Sequence, residues 1–366
     1  MLQPVRRRAN LSLMDRIEIT RPDDWHLHVR DGAMLKATLP ASAAIFGRAI
    51  IMPNLLPPVR TLADLRAYRA RIMAALPAGH PFQPLMTLYL TDDTDPAIIL
   101  EGAVSGDLAA VKLYPAGATT HSESGVTDMA KVDRVLEAMQ VADVPLLIHG
   151  EVTDPAIDIF DREQVFIERV LTSLRARFPE LRVVLEHATT QEAVDYVLAA
   201  ETHLGATITP HHLMIDRNAI FRGGIRPHFF CLPIAKRAEH KQALRRAATS
   251  GDRRFFLGTD SAPHPVSAKE CACGAAGIFS APVALPCVAQ VFDEENALGR
   301  LEAFASLNGA AFYRLSPNVD RIVLERAKPV DGGFVAVAAN AGEQIRVFQP
   351  DTPVGWSVVE GIRETT

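Results

Sequence analysis

The sequence predicts an α/β fold, a closed (β/α)8 TIM barrel, from three observations: eight short apolar runs, helical patterns between most of them, and Pro- and Gly-rich stretches directly after several runs. The runs are Asp24 to Val29, Arg48 to Met52, Leu85 to Leu90, Ala109 to Tyr114, Pro145 to His149, Val183 to His187, Ala206 to Thr209 and Arg254 to Gly258. They are rich in Val, Ile, Leu and Phe and make eight candidate strands. Helical patterns at Leu62 to Ala75, Met129 to Ala142, Glu163 to Phe178, Gln191 to Ala200 and Lys236 to Ser250 supply the crossovers of a parallel sheet. The stretches Pro53 to Pro58, Pro115 to Thr120 and Ser261 to His264 then become loops at the carboxyl ends of strands, where barrels place their chemistry.

No Ser- or Gly-rich linker divides the 366 residues, so residues 1–366 read as a single domain, with the barrel over about 20–310 and a C-terminal appendage over about 311–366. Within the appendage, Gly333 to Ala338, Glu343 to Phe348 and Gly355 to Val359 predict short peripheral strands. A hydrophobic fraction of 48% with 22% charged residues is that of a soluble globular protein. The net charge of -5 gives no basic footprint for nucleic acid, which favours a small-molecule partner. Arg6, Arg7 and Arg8 precede no signal-peptide core, and no apolar stretch is long enough for a membrane span. The four cysteines, Cys231, Cys271, Cys273 and Cys287, are too few for a disulfide framework, and the expected location is the cytoplasm.

Trp25-His26-Leu27-His28-Val29-Arg30 carries the strongest local signal, because a spacing of two puts His26, His28 and Arg30 on one side of a strand. Two inward imidazoles one pleat apart can bind the same metal ion, and neutral histidine is a preferred zinc ligand. Alone, the motif is equally that of two half-buried histidines at a strand edge. His149 and His187, however, each close an apolar strand, and Asp260 follows Phe255-Phe256-Leu257-Gly258-Thr259 in the same way. Capping explains one such residue; their joint occurrence on four strands points to a metal centre. Lys112 lies inside the apolar run Ala109 to Tyr114, where an ammonium must snorkel to solvent, pair with a carboxylate, or cease to be cationic.

The set His26-x-His28, Lys112, His149, His187 and Asp260 resembles the ligand set of the binuclear amidohydrolase superfamily. Arg21-Pro22-Asp23-Asp24-Trp25-His26-Leu27-His28, Met52-Pro53-Asn54, Lys112-Leu113-Tyr114-Pro115, His149-Gly150-Glu151-Val152-Thr153 and Gly258-Thr259-Asp260-Ser261-Ala262-Pro263-His264 are similar to the class II, bacterial-type dihydroorotases. The likeness runs from about Arg21 to Tyr313 and so covers most of the chain.

The resemblance implies reversible hydrolysis of dihydroorotate to N-carbamoyl-L-aspartate in pyrimidine biosynthesis, by a homodimer. It implies two zinc ions bridged by carbamylated Lys112 and a hydroxide, with His26, His28 and Asp260 on one ion and His149 and His187 on the other. Such a first shell carries about one net positive charge and attracts an anion. Arg30, Asn54 and His264 are expected around the substrate carboxylate, and backbone groups near Leu232 and Ala276 at the ring's amide edges. Thr119 and Thr120 match a substrate-covering loop, although Gly117 stands where relatives lead one to expect Asn. Asp260 is expected to shuttle the proton between nucleophile and leaving nitrogen.

Other residues take plainer readings. His80, His203 and His240 fall in polar or helical contexts, and His211, His212 and His228 in loops after the seventh run, with His212 the best placed of these to reach the cleft. Cys271-x-Cys273 has no second pair and reads as packing or loop. Two alternatives stand beside the main reading: a dihydropyrimidinase- or allantoinase-like enzyme, which has no need of a carboxylate clamp, and a non-catalytic paralogue, which predicts missing ligands.

Overall fold

A computed structural model describes residues 15–329, 333–337 and 342–359. Eight parallel strands follow one another around a barrel: β2 (Asp24–Leu27), β3 (Arg48–Ile51), β4 (Gln83–Tyr89), β5 (Ala110–Leu113), β6 (Leu146–Ile148), β7 (Val183–Leu185), β8 (Leu204–Ile208) and β9 (Phe255–Leu257). β2, β5, β6, β7, β8 and β9 are buried along their whole length, which is why they read as continuous apolar runs without alternation. Just past the ends of β2 and β9 the first and last barrel strands meet. Leu27 bridges Ser261 in parallel, the His28 N–H donates to the Ser261 carbonyl at 3.1 Å, and the Asp260 N–H donates to the His26 carbonyl at 2.8 Å.

Inside the barrel, Trp25, Ile50, Met52, Ala110, Leu147, Val184 and Phe256 pack with Ala310 and Tyr313. Trp25 stacks on Tyr313 with ring centroids 4.5 Å apart and planes within 7°. Gly309 lies against this pair, and a Cβ there would come within 2.0 Å of Trp25 Nε1. The larger apolar cluster fills the space between the strands and the surrounding helices.

Helix starts are chemically marked. Thr61 and Asp64 form a capping box on Leu62–Ala74, Asp95 caps Pro96–Ser105, and Thr190 caps Gln191–Ala199. The helices Gly32–Ile45, Pro96–Ser105 and Ala284–Glu294 were not among the sequence patterns; the first and third carry the internal prolines Pro40 and Pro286, which blur a helical signature. The predicted helix Met129 to Ala142 opens as a 3-10 turn, Met129–Val132, before Asp133–Val141. The predicted Glu163 to Phe178 widens into a π segment at Ile167–Leu171 between Arg162–Phe166 and Thr172–Arg177.

Two short strands escaped the sequence reading, β1 (Arg16–Thr20) and β10 (Arg321–Arg326). They pair antiparallel, Ile19 opposite Ile322, and β13 (Trp356–Val359) adds to the far edge of β10. Their inward residues Ile17, Ile19, Ile322 and Leu324 join the main core. The hairpin of β11 (Phe334–Ala336) and β12 (Gln344–Arg346) matches two of the predicted peripheral strands, although residue 338 of the predicted range lies outside the described residues. Among the described residues no helix is long and apolar enough to cross a membrane.

Candidate active site

β2 delivers His26 directly and His28 one residue beyond its end, with their Nε2 atoms 3.3 Å apart. Asp260 Oδ1 lies 3.1 Å from His28 Nε2 and 3.4 Å from His26 Nε2, and the three residues are buried. Their potential ligand atoms fall within 4.8 Å of one another, a group able to hold a metal ion. The ring of His187 lies 4.9 Å from that of His26 and 4.8 Å from that of His149, so four imidazoles line one mouth of the barrel. Burial lowers the pKa of His26, His28 and His187, keeping them in the neutral form that ligates metals. Burial raises that of Asp260, against the pull of nearby histidines and Lys112.

His187 and Asp260 have left-handed backbones, with φ of 42° and 43°. For non-glycine residues this costs about 1–3 kcal/mol each and persists only where surroundings enforce it. Here the His187 N–H donates to Thr207 Oγ1 at 2.6 Å, and the Asp260 N–H is fixed by the barrel closure. The kink at His187 has a direct result. Neighbouring strand residues ordinarily face opposite ways, yet Glu186 and the ring of His187 both lie against His26.

Lys112 pairs in register with Tyr89 and Leu147 and is wholly buried. Its Nζ has no hydrogen-bond partner and meets no carboxylate in an ion pair among the described residues; the Tyr114 ring centre lies 5.0 Å away. Of the three options open to it, snorkelling and carboxylate pairing are therefore not taken. Burial pulls its pKa down to about 8, with Glu186 and Asp260 opposing.

Three supporting carboxylates were missed. Glu186 Oε2 lies 2.8 Å from His26 Nδ1 and accepts from Thr207 Oγ1 at 2.5 Å, and Glu151 Oε2 lies 2.7 Å from His149 Nε2. Asp24 accepts from the Thr259 N–H at 2.8 Å and its hydroxyl at 2.6 Å, and burial raises its pKa to about 7. Their signal was positional: each is a carboxylate one or two residues from a histidine at a strand end.

Arg30 reaches the same cleft, but a left-handed backbone at φ 58° aims it after β2 has ended, where strand parity no longer applies. Its Nη2 lies 2.9 Å from His264 Nε2, and its Nε donates to the Pro263 carbonyl at 3.1 Å. Asn54 Nδ2 donates to the Thr120 carbonyl at 3.0 Å, and Thr120 Oγ1 to the Ala276 carbonyl at 3.3 Å. Thr119, Thr120, Leu232 and Ala276 line the cleft with the histidines, while His264 borders the neighbouring cavity and meets the cleft through Arg30. The cavity between the lining residues is small, about 20 Å³. Gly117 uses a left-handed conformation, φ 79°, with open space around its α-carbon.

His211 and His212 are not in a loop: they belong to the short helix Pro210–Met214, started by Thr209 with Pro210. His212 does not line the cleft; its ring nitrogens lie 2.8 Å from Thr209 Oγ1 and 3.0 Å from the Pro233 carbonyl. With His211 and Cys231 it forms a second buried cluster. His228 occupies a 3-10 turn and contacts Glu270 at 2.8 Å, and Cys271 and Cys273 are exposed free thiols.

A parallel barrel with imidazoles, a carboxylate and a buried lysine gathered at one mouth defines a metal-hydrolase architecture, and residues 23–323 match the amidohydrolase family, to which the chain belongs. Within that family it groups with the dihydroorotases. It is 58% identical to a dihydroorotase of Rhizobium leguminosarum bv. trifolii, over 94% of this chain and 100% of the relative. Among solved structures, dihydroorotase from Saccharomyces cerevisiae in complex with 5-fluoroorotic acid superposes with a TM-score of 0.87 at 34% identity, covering 96% of this chain and 100% of that one. Dihydroorotase from Campylobacter jejuni gives a TM-score of 0.84 at 36% identity, covering 94% and 97%.

Proposed function

We propose that the chain interconverts dihydroorotate and N-carbamoyl-L-aspartate at the mouth formed by His26, His28, Lys112, His149, His187 and Asp260. The observation that carries this reading is the Arg30–His264 contact at 2.9 Å beside a cluster of buried imidazoles: a carboxylate clamp next to hydrolytic machinery. A hydantoin or allantoin substrate has no carboxylate for that clamp. The retained ligands also speak against a non-catalytic role.

The donor set suits two divalent ions, which we assign as zinc. His26, His28 and Asp260 would hold one and His149 and His187 the other, with Lys112, as its carbamate, shared between them. The buried Nζ of Lys112 and Nδ1 of His187, both without hydrogen-bond partners, fit such a role. Bound there, the ions would supply Lewis acidity toward an amide carbonyl and lower the pKa of water.

The chain's own residues do the rest. Arg30, Asn54 and His264 bind the substrate carboxylate, and backbone groups at Leu232 and Ala276 take the ring's amide edges. Thr119 and Thr120 close over the ring and exclude water. Asp260 accepts the proton of the attacking water and returns it to the departing ring nitrogen. Closing the ring consumes a proton, so low pH favours dihydroorotate. We further read the barrel and its flanking sheet as a single domain, working as a cytoplasmic homodimer; four free cysteines agree with a reducing compartment.

Metal analysis combined with dihydroorotate ring opening, on the wild type and Asp260→Ala, tests the reading. Two bound ions and loss of turnover in the variant are expected. A wild-type rate in Asp260→Ala removes the shuttle, and faster opening of hydantoin or allantoin than of dihydroorotate overturns the substrate.

A further inference from the structure

Lys269 closes the four-residue helix Val266–Lys269 and is buried, yet it meets no carboxylate in an ion pair among the described residues. Its ammonium points at three backbone carbonyls: Phe230 at 2.8 Å, Ala275 at 2.7 Å and Gly277 at 2.7 Å. An ammonium has three protons to donate, so its hydrogen-bonding capacity is saturated by main chain alone. Desolvating a cation is costly, and neutral carbonyls do not cancel its charge. An apolar side chain would fill the same space but leave the Ala275 and Gly277 carbonyls without this donor.

The three carbonyls come from two separate segments. Phe230 leads into Cys231 and Leu232, and Ala275 and Gly277 flank Ala276. A further bond joins the segments directly, from the Gly277 N–H to the Phe230 carbonyl at 3.0 Å. Gly277 is pressed close, since a Cβ there would lie 2.5 Å from the Ala262 carbonyl and 2.8 Å from the His264 ring. The Ala276 carbonyl between them receives the Thr120 hydroxyl. One ammonium thus holds together two stretches of main chain that face the cleft from different loops, next to the residues that clamp and cover it.

We infer that Lys269 is a positioning residue for ring recognition: by gathering the carbonyls of Phe230, Ala275 and Gly277 it fixes the spacing between the backbones of Leu232 and Ala276. The inference rests on the reading of those two residues as the contacts for the ring's amide edges. Lys269 does not line the cleft and stands apart from the cluster of histidines, although it shares the neighbouring cavity with His264, so its removal is expected to loosen binding and to leave the chemistry and the metal content in place.

The test compares wild type, K269M and K269R by dihydroorotate saturation kinetics, calorimetric binding of 5-fluoroorotic acid and metal content. In K269M the KM for dihydroorotate and the Kd for 5-fluoroorotic acid are expected to rise about tenfold, with kcat within about threefold of wild type and metal retained. K269R keeps charged donors and is expected to recover part of the binding. Unchanged KM and Kd in K269M overturn the inference, as does a fall in kcat alone or a loss of metal. Should K269M fail to fold, K269Q, which keeps two donors without the charge, carries the same comparison. A wild type that neither opens dihydroorotate nor binds 5-fluoroorotic acid overturns the functional reading instead.

Discussion

Glu186 and His26 meet through a 2.8 Å contact between Oε2 and Nδ1, at a depth where neither side chain reaches solvent. A carboxylate can only accept, so Nδ1 carries the proton and Nε2 is left free toward His28 and Asp260. Glu186→Gln removes the charge that orients this ring, and metal affinity is expected to fall about 10- to 100-fold. Competition with a chelator measures it; retention equal to wild type would refute the role.

The hydroxyl of Thr120 tethers the 117–125 loop to the Ala276 carbonyl over a cleft with little free volume. A loop that must open and reclose contributes to turnover without touching the ions. Deleting Thr119 and Thr120 is expected to lower kcat about tenfold or more, by analogy with other lids, while metal content stays intact. Unchanged turnover rejects the lid.

His212 gives the stability a defined acid dependence. Burial is the main cause that lowers its pKa to about 4, with Lys236 adding to the effect. Between about pH 6.5 and about pH 4 the unfolded chain binds this proton and the folded chain does not. The contribution is therefore complete above about pH 6.5 and lost as the pH falls toward about 4, amounting to roughly 3 kcal/mol. Urea unfolding of wild type and His212→Gln across this window is expected to show a shallower decline in the variant. Equal slopes would exclude His212 as a source.

At the barrel floor, Gly309→Ala forces a methyl group into the face of Trp25. Neither Trp25 nor its stacking partner Tyr313 has room to yield, so a loss of about 1–3 kcal/mol is expected from overpacking. Thermal unfolding reports it directly. An unshifted midpoint would mean that the floor repacks freely.

Much of this site could be read in one dimension because strands buried on both faces appear as apolar runs, and a polar residue at the end of such a run stands out. His149, His187 and Asp260 were found that way. That pattern is lost where the backbone departs from the regular strand. Glu186 was hidden because its neighbour His187 already accounted for the polar end of β7, and regular alternation does not predict that both side chains reach His26. Arg30 lines the cleft beside the histidines, but not through strand parity, which ends with β2 at Leu27. Lys269 had no signal at all: in Ser267-Ala268-Lys269-Glu270 it looks like any solvated lysine, and its three acceptors arrive from elsewhere in the chain. β1 was missed because exposed Arg16 and Glu18 alternate with buried Ile17 and Ile19, so it leaves no continuous apolar run, and its partner is distant; Arg16 meets Glu325 across 309 positions.

The join between His26 and Asp260 also governs when the protein can begin to work. Asp24 grips Thr259 across 235 positions of sequence, so no early-synthesised portion contains both halves of the chemical centre. A nascent chain is therefore expected to stay inert at least until Asp260, three residues past the end of β9, has left the ribosome and the ring can close.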